Sequence, residues 1–290
     1  MNEERRQHLL ESRFTRPQAI VDAATSRELH EPLTDDARLL IVAADHAARG
    51  ALDVGAIPNA MSNRYDMLDR LVTALAIPGV NGVLGTPDVI EDLLLLGALE
   101  QKLVFGSMNR GGLPGAVFEM DDRFTSFTAQ SIVRSRLDGG KMLLRINLDD
   151  PGTANVLESC AHAVTQLAAE HRIAMIEPFM SSRVDGRIQH DLSTDAVMRS
   201  MGIASALGAT STHTWLKVPV VNDMERVAEA TTMPLLLLGG PRNDRPDEMF
   251  EHWEKTLRLP GVRGLVVGRN LLYPSDDDVT TAVKTAVSLL

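Results

Sequence analysis

Eight short, apolar, β-rich runs alternate with helix-length segments, and polar residues gather where the runs end. No Gly-rich dinucleotide fingerprint and no Walker-type loop follows the first run, which disfavours the main competitor, a doubly wound open sheet. Together these observations predict an α/β chain folded as a (β/α)8 barrel with an N-terminal helical extension.

The elements follow in order. Residues 1–35 are charged and helix-prone, with Leu9, Leu10, Ile20 and Val21 available for packing onto the barrel that occupies 36–290. Strands are expected at Leu39–Ala44, Gly79–Leu84, Lys102–Gly106, Met142–Leu148, Ile173–Phe179, Trp215–Val221, Pro234–Leu238 and Gly264–Val267. Between them the spacing predicts helices over Tyr65–Leu75, Pro87–Leu99, Phe127–Gly139, Thr153–His171, Thr194–Leu207, Met224–Thr231 and Pro246–Arg258. No linker or low-complexity stretch divides the chain, so the barrel reads as one domain.

Composition narrows the function. The 290 residues are 44% hydrophobic and 23% charged, which suits a globular α/β protein. Thirty-nine acidic against 29 basic residues give a net charge of -10, against a nucleic-acid scaffold. An anionic substrate would need a local basic patch against that background. Cys160 is the single cysteine, so no internal disulfide forms, as suits a reducing cytosol. The N-terminus lacks the apolar core of a signal peptide, and no apolar run nears the roughly 18–20 residues that span a bilayer. The expectation is a soluble cytoplasmic protein with neither nucleic-acid nor membrane partner.

Lys217 is the residue that stands out. It lies inside Thr214-Trp-Leu-Lys-Val-Pro-Val-Val221, a run that otherwise reads as a buried strand. An ammonium there costs several kcal/mol in desolvation unless it is paired or neutralised. Burial also lowers a lysine pKa and frees the amine as a nucleophile. Lys217 is therefore either an ion-pair anchor or a Schiff-base former.

The ends of the other runs supply company. The first ends Ala44-Asp45-His46, with Arg49-Gly50 beyond, and the third leads into Ser107-Met108-Asn109-Arg110. Arg145 and Asn147 alternate on the fourth, with Lys141 on the same face but nearer the bottom. Glu177 lies on the fifth, and the seventh and eighth finish Gly239-Gly240-Pro241-Arg242 and Gly268-Arg269-Asn270. Asn270 and Asp149 read mostly as helix caps, and Glu177 with Lys217 as a buried pair or a catalytic one. The eight histidines show no metal-ligand spacing, so neither metal nor cofactor is expected. In this fold, loops after the last two strands commonly bind phosphate through backbone N–H groups and a nearby helix N-terminus. Gly239, Gly240, Gly268 and Arg269, with Arg242 as a further cation, have that composition.

These residues resemble the class I aldolases with a barrel fold, the archaeal-type fructose-bisphosphate, tagatose-bisphosphate and deoxyribose-phosphate aldolase-like proteins. Leu216-Lys217-Val218 resembles their Schiff-base strand, Leu238–Pro241 with Gly264–Asn270 their phosphate loops, and Ala44-Asp45-His46 their first-strand element. Glu177 is similar to the fifth-strand glutamate of the tagatose type. Within the group the chain looks nearest an actinobacterial branch often encoded with inositol-degradation genes. The chain departs from the archaeal type where a fifth-strand tyrosine donates a proton, because Pro178 and Phe179 stand there.

The resemblance implies a carbon–carbon lyase acting on a phosphorylated ketose or keto sugar acid and releasing dihydroxyacetone phosphate. The leading candidate substrate is 2-deoxy-5-keto-gluconate 6-phosphate. In it Lys217 is the nucleophile, Glu177 moves protons, and Asp45 orients or deprotonates substrate hydroxyls. Arg145 or Lys141 lowers the pKa of Lys217 or pairs with Glu177. Gly239, Gly240, Gly268, Arg269 and His46 hold the substrate and its phosphate. The expected partner is a small-molecule sugar phosphate, bound by a homo-oligomer. Two other classes fit the same barrel, a catalytically silent sugar-phosphate sensor and an isomerase or epimerase that uses Lys217 as an electrophile.

Overall fold

The computed structural model of the chain describes residues 1–240 and 245–290; Pro241 and Arg242 of the predicted phosphate loop lie outside the described residues. Among the described residues nine strands form, β1 Leu39–Ala43, β2 Gly82–Gly85, β3 Leu103–Ser107, β4 Gly139–Ile146, β5 Ile173–Val184, β6 Arg187–His190, β7 Thr214–Val218, β8 Leu235–Leu238 and β9 Val262–Val267. All except β6 pair in parallel, in the order β4-β3-β2-β1-β9-β8-β7-β5, and a β4–β5 pairing closes the ring. This is the predicted (β/α)8 barrel of eight parallel strands.

The helices are α1 Glu3–Thr15, α2 Gln18–Ser26, α3 Arg64–Leu75, α4 Pro87–Leu95, α5 Ala129–Arg134, α6 Gly152–Ala169, α7 Thr194–Ser205, α8 Met224–Glu229, α9 Pro246–Leu257, α10 Arg269–Leu272 and α11 Val279–Ser288. Their starts follow local chemistry. Asn63 and Ser193 accept hydrogen bonds from the first-turn amides of Asp66 and Ala196, and Pro87 and Pro246 occupy first-turn positions where no amide donor is needed. None of these helices is long and apolar enough to cross a membrane.

Alternation along the strands divides the core. Leu40, Val42, Val83, Val104, Met142, Leu144 and Ile176 face outward under the helices. Leu39, Ile41, Leu84, Phe105, Met175 and Leu236 fill the lower barrel, where Phe105 and Trp215 lie 5.8 Å apart. Each such buried aliphatic side chain stabilises the fold by about 1.5–3 kcal/mol.

Three expectations change. Strand β4 starts at Gly139 rather than Met142 and ends at Ile146, leaving Leu148 exposed. Gly139 and Gly140 look like a helix terminator, yet β4 needs a residue without a Cβ, which at 139 would lie 2.9 Å from Phe105 Cε1. Strand β5 also runs five residues past Phe179 and folds back as the β5–β6 hairpin, through Asp185 and Gly186 at φ 49 and 77°. In the N-terminal extension Leu9 packs into the core, but Leu10 and Val21 stay exposed.

Candidate active site

Inside the upper barrel, where apolar side chains would be expected, β4, β5, β7 and the segments that follow β1 and β3 contribute charge. Glu177 Oε1 lies 2.9 Å from Lys217 Nζ, and Glu177 Oε2 pairs with Lys141. Lys141 Nζ is also 3.5 Å from Asp45 Oδ2. Asp45 is paired with Arg110, and Ser107 Oγ donates to its Oδ2 at 3.0 Å. Asp45, Ser107, Arg110, Lys141, Glu177 and Lys217 are all buried. Removing one partner of such a network leaves an uncompensated buried charge, at a cost of about 3–5 kcal/mol.

Each ionisation state has a cause. Burial lowers the pKa of Lys217, and Arg110 and Arg269 push it further down while Glu177 opposes them. Burial alone would raise the Glu177 carboxyl, but Lys141, Lys217 and Arg110 outweigh it and hold it well below the carboxylate range. Lys141 is lowered too, by burial and then Arg110. What separates the two lysines is access. Lys217 lines a cavity of about 680 Å3 at the C-terminal end of the barrel, whereas Lys141 lies fully buried behind Glu177.

Arg145 behaves differently from its expected role. Its guanidinium forks onto both oxygens of Asp122, each at 2.7 Å, and donates to the carbonyl of Glu119. It therefore braces the loop between β3 and α5, and Arg110 and Arg269 take over the part of lowering the pKa of Lys217. Lys141 does lie nearer the bottom than Arg145, in register with Met175, yet its ammonium reaches up to Glu177 and Asp45.

The glycine loops come together at the rim. Asn270 does not cap the helix but donates from Nδ2 to the Gly239 carbonyl at 2.7 Å, tying the β8 and β9 loops to each other. Gly240 has φ 66°, a backbone that favours glycine, and a Cβ there would meet nothing within 4 Å among the described residues. A Cβ on Gly268 would meet the Ala43 carbonyl and lie 2.7 Å from His46 Cε1. Arg269 Nε and His46 Nδ1 are buried with no hydrogen-bond partner among the described residues. His46 is pushed down to about 3, by burial and then by Arg269 and Lys217, so its ring is neutral. Asp149 is no cap either; Asp150 Oδ1 accepts from the Gly152 amide at 2.8 Å.

The cavity thus gathers Asp45, His46, Glu177, Lys217, Gly239, Gly240, Gly268 and Arg269, with Lys141 one layer behind and Arg145 outside it. Sequence reasoning noted Arg110 and Arg49 at strand ends without assigning them, and it missed Gln189 and His190. Asp185-Gly186 is a strong two-residue hairpin signal and would have revealed the hairpin that carries those two. No cluster of three or more His, Cys, Asp or Glu able to hold a metal occurs among the described residues.

A closed parallel barrel thus carries a lysine–glutamate–lysine triad under an open cavity. The chain belongs to the Cgl0159-like family, whose model matches residues 37–287. It is similar to the crystal structure of Cgl0159 from Corynebacterium glutamicum (Brevibacterium flavum), with 54% identity, 100% of this chain and 97% of that one covered, and a TM-score of 0.97. More distant likeness is of fold. An archaeal fructose 1,6-bisphosphate aldolase shares 14% identity at TM-score 0.65, covering 93% of this chain and 98% of that one. A Schiff-base-forming fructose-1,6-bisphosphate aldolase shares 15% at TM-score 0.66, covering 93% and 99%. The comparison with curated proteins found no match.

Proposed function

We propose that the protein is a class I aldolase that cleaves a phosphorylated ketose through a Schiff base on Lys217. The observation that carries this reading is the 2.9 Å pair of Lys217 with an ionised Glu177 at the floor of the cavity. Glu177 takes the ammonium proton, and the free amine adds to the substrate ketone to give a carbinolamine. Glu177 returns the proton to the carbinol oxygen, water leaves, and an iminium forms. A base then takes the proton of the hydroxyl on the far carbon of the breaking bond, whose oxygen becomes the aldehyde carbonyl. The bonding pair moves toward the iminium nitrogen, the aldehyde departs, and an enamine remains. Protonation and hydrolysis release dihydroxyacetone phosphate and restore the amine. Asp45 suits the base role because its Oδ1 is buried without a hydrogen-bond partner among the described residues, while Oδ2 is held by Arg110 and Ser107.

Gly239, Gly240, Gly268 and Arg269 serve as the phosphate cradle, and His46 packs beneath it. Lys141 holds the Glu177 carboxylate toward Lys217. Within this reading the substrate is 2-deoxy-5-keto-gluconate 6-phosphate, cleaved to dihydroxyacetone phosphate and malonic semialdehyde. The support for that finer choice is the sequence resemblance alone.

Incubation with dihydroxyacetone phosphate, borohydride reduction and peptide mass spectrometry test the chemistry. The adduct is expected on Lys217 and is expected to vanish in Lys217→Met. Lys141→Met should keep the adduct on Lys217 but form it about 100-fold more slowly, in the range by which positioned proton transfer accelerates reactions. An adduct on another lysine, or none, overturns the proposal.

A further inference from the structure

We infer that the cavity contains a second anion site, built by Arg49 and His190, so that its ligand carries a negative group at both ends. This rests on the proposed function for the orientation of the ligand, but its geometry stands apart from Lys217. The 3-10 turn His46–Arg49 after β1 delivers Arg49 to the cavity wall, where its Nε donates to the Gly112 carbonyl at 2.8 Å. The carboxylates that act on it are Asp122, Glu119 and Glu177. Each is bound to another cation, the first two to Arg145 and the third to Lys141 and Lys217. Arg49 is thus a cavity-lining guanidinium without a carboxylate partner among the described residues, in a chain of net charge -10.

His190 comes to the same end of the cavity on the β5–β6 hairpin. Its ring stacks on Phe179, with centroids 4.3 Å apart and planes at 16°, and its Nδ1 lies 2.9 Å from Ser181 Oγ. One ring nitrogen is occupied by that bond, leaving Nε2 to meet a ligand. The charges around His190 are Arg145, Glu177, Arg49 and Glu119, and Arg145, Glu177 and Glu119 also act on Arg49. Arg269 and His46 stand at the glycine loops, where a Cβ on Gly268 would lie 2.7 Å from His46 Cε1, and Lys217 and Glu177 line the same cavity. Within the proposed function, a ligand with its phosphate at Gly239–Gly240 and Arg269 and its ketone at Lys217 carries its far end to Arg49. Either a carboxylate or a second phosphate fits the planar fork of Arg49.

The experiment uses ligands with no ketone, so that binding is read without Schiff-base chemistry. Calorimetry on the full chain compares glucitol 6-phosphate, glucitol 1,6-bisphosphate and 6-phosphogluconate. At least one of the two ligands with an anionic group at each end is expected to bind ten-fold or more tightly than glucitol 6-phosphate, and which one identifies the second group. Arg49→Met is expected to erase that advantage while glucitol 6-phosphate keeps its affinity, and Arg49→Lys to restore part of it. Equal affinity for all three ligands, or a uniform loss in Arg49→Met, overturns the inference. A discrimination that persists without any borohydride adduct keeps the second anion site and overturns the aldolase reading instead.

Discussion

Two buried lysines share one glutamate, and the pKa directions alone do not select the nucleophile, because both fall below the usual value. Exposure to the cavity is what makes Lys217 the nucleophile of the proposed function. A third titrating group gives a readout of the site's polarity. His46 titrates near 3 in the folded chain against its usual 6.5. The unfolded chain therefore binds the extra proton first, and stability is lost as pH falls from about 6.5 toward 3, at up to about 1.4 kcal/mol per pH unit. Urea midpoints measured from pH 7 to pH 5 are expected to show this slope, and His46→Gln to flatten it.

At the scale of elements, the loop from Met108 to Phe127 acts as one braced unit. Asn109 bonds both the amide and the carbonyl of Leu143, at 2.7 and 2.6 Å, as a further strand would. Arg145 holds Asp122 and Glu119, and Arg110 returns from the loop to Asp45. Arg145→Leu leaves Asp122 as a buried charge without its cation, so a stability loss of about 3–5 kcal/mol is expected by urea unfolding. Asp122→Asn with Arg145→Leu should recover part of that loss, since the stranded charge is gone. The strands and most helices of the barrel were legible because a period of 2 or 3.6 is a local property. The β4 start was not, because whether a Gly-Gly pair ends a helix or passes beside Phe105 depends on a neighbour 34 residues earlier.

Across the whole molecule, the extension 1–35 is fastened at the end of the barrel opposite the cavity. Arg27 is buried and donates to the carbonyls of Lys102 at 2.8 Å, Arg136 at 2.7 Å and Leu99 at 3.3 Å. Arg13 reaches Asp92 at 2.7 Å on α4. Unpaired buried acceptors cost about 1–3 kcal/mol each. Arg27→Met is expected to release α1 and α2 to limited proteolysis before the barrel is cut. Protection of the extension equal to that of the unchanged chain would show that Arg27 is not its anchor.

The sequence by itself determined the barrel and the rim residues, because alternation and strand ends are written in neighbouring positions. It also marked Lys217, since an ammonium in an apolar run is anomalous wherever that run lies. Only the tertiary structure decided how the charges pair. Arg145 and Lys141 alternate along one strand, yet one braces a loop and the other holds Glu177, because barrel closure and strand stagger bring different neighbours to each. His190 reached the cavity by a hairpin that leaves the barrel, and Arg49 has no carboxylate partner among the described residues because Arg145 holds Asp122 and Glu119 while the two lysines hold Glu177. Such assignments depend on distances across the ring, which no local pattern encodes.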